Sequence, residues 1–157
     1  MSNLRESVRL ALVGKVQALA ATFTAYPLEV EYANGIKVNT ALQTNPYLKA
    51  WIVYQDGQQV NLSMTPDHRL IGTIVLEACV KEGSGTKAAN ALLEHFYPAI
   101  HMKDTIPPLR TLAARFSSKP ASDGWAAEAA IIPFWADSIG TAAEAVIIPF
   151  WADSIGT

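Results

Sequence analysis

Cysteine is almost missing from this chain: Cys79 is the single one in 157 residues. One thiol builds neither an intramolecular disulfide framework nor a thiolate zinc cluster. A basic excess is also lacking. Twelve Lys and Arg stand against fourteen Asp and Glu, a formal net charge of −2. Such a balance offers no electrostatic footprint for wrapping nucleic acid and no polybasic stretch for a membrane surface. No apolar run is long enough to span a bilayer. The N-terminal stretch MSNLRESVRLALVGKVQALAATF is broken by Glu6, Arg9, Lys15 and Gln17, so it lacks a signal-peptide core. The expectation is a chain made and kept in a reducing cytoplasm. Half the residues are apolar, enough for one domain with a real core.

The most informative positive feature is a duplication. Ala126–Thr141 reads AAEAAIIPFWADSIGT, and Ala142–Thr157 reads AAEAVIIPFWADSIGT, differing only at Ala130 and Val146. Solenoids stack at least three diverged repeats. Two near-identical terminal copies indicate instead a recent duplication or an artefact. The folded domain is expected to span 1–141, with 142–157 as a surplus C-terminal extension. Each copy holds one Glu, one Asp and no base, so one copy accounts for the whole net charge.

Hydrophobic periodicity gives the elements. Leu4, Val8, Leu12, Val16 and Leu19 recur at helical spacing, predicting a helix over about 3–23 with a capping-box-like Asn3 and Glu6. Leu28–Ala33 alternates as a strand, followed by the turn pair Asn34-Gly35. Tyr47–Gln55 and Gln58–Leu62 flank Asp56-Gly57 and read as a hairpin. Arg69–Lys81 is the clearest strand. It places Leu70, Gly72, Ile74, Leu76, Ala78 and Val80 on one face, toward the core, and Thr73, Val75, Glu77, Cys79 and Lys81 on the other. Thr86 is an expected N-cap for a helix through Tyr97 that buries Ala89, Leu92, Leu93 and Phe96. Leu109–Phe116 is ambiguous in period, and Ser117–Gly124 reads as a loop. Trp125–Trp135 is the closing strand, with Pro133 on an edge or in a bulge. The fold class is α+β: a single mixed or antiparallel sheet of about four to five strands, with two main helices packed on it.

Candidate chemistry is thin. Gly83-Ser84-Gly85-Thr86-Lys87 opens a helix after a strand, but it lacks the spacing of a phosphate loop and reads as a βα turn. Of His68, His95 and His101, the last two lie near Glu94 and Asp104 in sequence, without the spacing of a zinc site, and His95 suits a helix end. Cys79 sits mid-strand with no positive neighbour in sequence to activate it and reads as a small half-buried residue rather than a nucleophile. Asp56 and Asp67 are turn residues. Tyr32, Tyr47, Trp51, Tyr54, Trp125 and Trp135 could stack bases only beside a basic groove, so they read as core and contact residues. No catalytic, cofactor-binding or metal-ligating residue is assigned, and no cofactor is expected.

Taken in order, four segments resemble the tail terminator family of long-tailed phages, the lambda-like minor tail proteins that cap the tail tube. These are the N-terminal helix and strand with Tyr32-Ala33-Asn34, and the entry Arg69-Leu70-Ile71-Gly72 to a strand ending in Gly83-Ser84-Gly85. The helix ending in Phe96 follows. Last comes the strand from Gly124-Trp125 to Ile132-Pro133-Phe134-Trp135-Ala136-Asp137. The resemblance spans most of 1–141, and the second copy departs from it. It implies a non-enzymatic virion protein assembled in the host cytoplasm. Its subunits would form a ring, typically a hexamer, that ends the tail tube and offers the head a docking surface, with DNA only in transit through the lumen. Its partners would be itself, the tube protein and neck or connector proteins. A head–tail connector or tail-completion protein is the alternative of the same class. A small cytosolic enzyme with dispersed residues, or a ligand-binding module, is the alternative of another.

Overall fold

The computed structural model describes residues 4–33, 35, 37–40, 43–55, 58–59, 68–122 and 124–138. Two helices lie on one face of a seven-stranded sheet, so the chain is α+β. In chain order the elements are α1 (Leu4–Ala21), β1 (Val30–Tyr32), β2 (Tyr47–Tyr54), β3 (Gln58–Gln59), β4 (His68–Lys81), α2 (Lys87–Phe96), β5 (Leu109–Thr111), β6 (Arg115–Ser122) and β7 (Trp125–Ser138). The sheet order is β1-β2-β4-β7-β5, with β3 also on β4 and β6 also on β7. Only β1 and β2 are parallel. The strand count exceeds the expected four to five because β5 and β6 form where the sequence is ambiguous or reads as a loop.

The centre is the antiparallel pairing of β4 with β7, continuous from His68↔Ser138 to Lys81↔Trp125. Alternation assigns the faces as expected. Ile74, Leu76 and Ala78 are fully buried with Ile132, Ala130 and Phe134 across the ladder, beneath Val8, Leu12 and Val16 of α1 and Leu92, Leu93 and Phe96 of α2. Each fully buried Leu, Ile or Phe contributes roughly 1.5–3 kcal/mol. The first copy of the repeat therefore fills the closing-strand position.

Several expectations need correction. Gln58–Gln59 does not return against β2. It continues along β4, pairing with Arg69 and His68, so the expected hairpin is an interruption in one edge. The turn residues Asp56 and Gly57 lie outside the described residues. Ser117–Gly124 is not a loop, because β6 runs to Ser122 and pairs with β7 from Arg115↔Ile131 to Ser122↔Trp125. Its Ser- and Pro-rich composition has low strand propensity, but the long β7 supplies a partner and tertiary pairing overrides propensity. Leu109–Phe116 divides between β5 and β6. Thr86 stands at the N-cap of α2 but makes no side-chain cap bond. The first helix ends at Ala21, where Thr22 Oγ1 donates to Leu19 O at 2.7 Å. Glu6 binds Arg9 at 2.9 Å, while its capping-box partner Asn3 lies outside the described residues.

Pro133 sits inside the sheet, in the gap between β5 and β6. Its carbonyl accepts the Leu112 N–H at 2.9 Å. In a strand the N and C=O of one residue point the same way, so the missing N–H faces this gap and no β4 bond is lost. Gly72 answers a different constraint. A Cβ there would lie 2.7 Å from Val53 O and 2.7 Å from the Phe134 ring, so the ring lies over bare backbone.

Gly72→Ala should therefore destabilise the domain by about 1–3 kcal/mol, read as a lower urea midpoint at unchanged m-value. Deleting Ala142–Thr157 should leave the unfolding free energy of the dissociated subunit within about 0.5 kcal/mol of the full chain's; loss of the cooperative transition would show that β7 is misassigned.

Candidate functional site: the helix-free face of the sheet

Both helices cover the same face of the sheet, so alternation aims the other half of every strand away from them. From β2 these residues are Lys49, Trp51 and Val53; from β4, Ile71, Thr73, Val75 and Glu77; from β7, Ala129, Ile131, Pro133 and Trp135. Among the described residues, no helix or strand covers this face. Val53 is 50% exposed, and Trp51, Ile71, Val75, Ile131 and Trp135 are half-buried. Apolar area of this kind on a soluble surface marks a contact site.

The face is also charged. Lys49, Arg69, Lys81, Arg110, Arg115 and Lys119 share it with Glu31, Glu77 and Asp137. These six bases and three acids give a local +3 on a chain of net −2. Chain-wide balance thus hid a basic concentration. Trp135 lies at its edge, with the Arg69 guanidinium 4.1 Å and the Arg110 guanidinium 5.3 Å from its ring centre, both within cation–π range. Arg69 also donates Nε–H to Asp137 Oδ1 at 2.9 Å, and that bond raises its pKa.

At the other end of the face a cavity of about 250 Å³ is lined by Tyr47, Lys49, Glu77, Cys79, Lys119 and Trp125 among others. Glu77 is only 6% exposed. Lys119 Nζ is 3.8 Å from Oε2, and the Cys79 thiol is 3.7 Å from Oε1. The lysine separation is that of an ion pair without a hydrogen bond, and the thiol gives only a weak S–H···O bond, so this buried carboxylate is weakly satisfied by these two groups. Burial, then the Glu77 charge, pushes the Cys79 thiol up to about 11. Burial also raises the Tyr47 phenol, with the neighbouring thiol adding to it. Both groups are protonated at neutral pH, the opposite of an activated nucleophile. The expectation of a small half-buried Cys79 is corrected to a fully buried one, at 3% exposure, because Val38 and Trp125 close over it.

The histidines are not brought together. His95 Nε2 lies 2.8 Å from Leu19 O and 2.9 Å from Thr22 Oγ1. Its N–H thus caps the C-terminus of α1 and ties the two helices. His101 Nδ1 accepts the Ala114 N–H at 3.2 Å. His68 begins β4 and pairs in register with Ser138. Among the described residues, no group of three or more His, Cys, Asp or Glu could hold a metal ion. Gly83 and Gly85 take positive φ in the turn before α2, and Ser84 Oγ donates to Lys81 O at 2.6 Å. Of the six aromatics, Tyr32 and Tyr54 face the helices, whereas Tyr47, Trp51, Trp125 and Trp135 face away from them.

No family model matches the sequence, and no curated protein does. A solved structure whose designation is a serial number and names no activity shares the fold. Its TM-score is 0.63 at 15% identity, covering 88% of this chain and 97% of that one.

The thiol provides a direct test of the cavity's electrostatics. Its pKa is raised on folding, so its contribution to stability is complete below pH 9 and is lost as pH rises through about 11. Cys79→Ala should flatten that part of the stability profile, measured as urea midpoints between pH 8 and 11. Equal slopes in both proteins would show that the thiol is not held protonated by the fold.

Proposed function

We propose that this chain is a structural subunit of the tail terminator type, which assembles into a ring, ends a phage tail tube and presents the surface that docks the head. The observation that carries this reading is the helix-free face. A β-sheet needs a second layer over apolar residues, and here Trp51, Val53, Val75, Ile131 and Trp135 lie beneath none of the described helices or strands. A protein surface is a natural second layer. Aromatic residues and arginine, which meet here as Trp135 with Arg69 and Arg110, are enriched in the centres of such contacts. The sequence resemblance supplies the kind of assembly. Ring closure needs two different patches on each subunit, and this face is an uncovered surface beside them for contact with the tube or the head.

The environment of His95 gives no support to the enzyme alternative: its ring bonds a backbone carbonyl and a threonine, not a carboxylate. Native mass spectrometry and negative-stain imaging of the full chain, alone and with tube protein, test the proposal. Closed rings that seat on tube ends are expected. Monomers under every condition would overturn it, and rings found on the portal complex rather than the tube would reassign it as a connector.

A further inference from the structure

β1 is three residues long and covers only half of β2. It pairs with Leu48, Lys49 and Ala50, then turns away as the Gly35 N–H bonds Tyr32 O at 3.0 Å. Leu48 points its N–H to this side, donating to Glu29 O at 3.1 Å. Strand alternation then aims the N–H and C=O of Ile52 and Tyr54 the same way. Among the described residues, no strand pairs with them there. Two grooves flank this free edge. The one toward the helices, about 220 Å³, is lined by Leu12, Val13 and Ile52. The one on the helix-free side, about 250 Å³, is lined by Lys49, Glu77 and Lys119. Tyr32, Ala33 and Trp51 line both. An unpaired edge with side-chain grooves above and below it is the geometry of strand addition.

We infer that this edge accepts the C-terminal segment Ala142–Thr157 of a neighbouring copy as an added strand, and that this contact joins subunits in the ring; the inference rests on the ring reading above. The segment is suited to the place. Fifteen of its sixteen residues match Ala126–Thr141, most of which forms β7, so the same side chains already make a strand in this fold. Val146, Ile148 and Phe150 alternate with Ile147, Pro149 and Trp151, placing apolar groups on both sides, as two flanking grooves require. An added strand here has solvent on its outer side, where the missing N–H of Pro149 costs nothing. A tail on one subunit and an edge on the next are the two unlike patches of a heterologous contact.

The experiment compares the full chain with the chain ending at Thr141, using native mass spectrometry for assembly and amide hydrogen exchange for Ile52 and Tyr54. Rings are expected only from the full chain. The two amides should exchange about tenfold or more faster after truncation, as freed edge groups do. Ile147→Asp with Ile148→Asp, placed in the tail and not in the domain, should reproduce the truncation without touching stability. Rings from both proteins would overturn the inference and leave the ring reading standing. A full chain that stays monomeric, with tube protein present, would remove both. Rings lost on truncation with unchanged exchange at Ile52 and Tyr54 would overturn the acceptor edge.

Discussion

The rest of the structure depends on the register between β4 and β7. Fourteen consecutive pairs run without interruption from one end of the sheet to the other. Because side chains alternate with a period of two, that register decides at once which residues lie under the helices and which face away from them. A slip of one residue would place Glu77, Lys81 and Arg69 beneath α1 and α2. The register is fixed at several points by groups that fit only one way. Phe134 lies over Gly72, where even a Cβ would collide. Asp137 meets Arg69 across the ladder. Pro133 stands where the neighbouring strand breaks, so its lack of a donor is harmless.

The same alternation creates the charged and apolar surface on the far side. Residues scattered across five strands become neighbours there: Lys49 opposite Glu77, Arg110 opposite Trp135, Lys119 opposite Ala127. The net charge of −2 carries no trace of this, because it averages over both faces. Buried Glu77 between Cys79 and Lys119 follows the same logic. In sequence it is an ordinary charged residue on the wet side of a strand, and only the packing of Val38 and Trp125 against its neighbours Tyr47 and Cys79 encloses that end of the face.

What could be read from the chain follows the strength of each local signal. The apolar spacing of Val8, Leu12 and Val16, the alternation from Gly72 to Val80 and the stripe of Ala89, Leu92, Leu93 and Phe96 are long and regular, and all three are buried as expected, with Leu70 half-buried at the end of its strand. β6 was illegible because Ser117, Ser118 and Pro120 carry no strand signal of their own; β7 recruits them. β3 was misread because Asp-Gly between two β-rich runs is a hairpin signal, whereas here the second run continues along β4. The helix-free face was half legible. Its residues were assigned to the correct side of β4, but nothing local reveals that no helix comes to cover them. The ring proposal comes from the resemblance, and not from any motif.

The duplication itself shows how narrowly one register is preferred over another. Both copies could in principle pair with β4, since they differ at one position. That position is where they are told apart. Ala130 is fully buried opposite Leu76, and the second copy would bring Val146 there, two more carbons in a closed core. Overpacking of this kind costs about 1–3 kcal/mol. The tight connection from Ser122 to Trp125 would also have to grow by a full repeat. At roughly 0.6 kcal/mol per doubling of loop length, that adds about 1–2 kcal/mol. Together these terms favour the first copy by roughly 2–5 kcal/mol, or about two orders of magnitude in population at the middle of that range. The fold therefore takes the first copy into its sheet, and Ala142–Thr157 repeats a sequence that forms a strand there. A segment with this composition gains most by pairing with an unpaired edge.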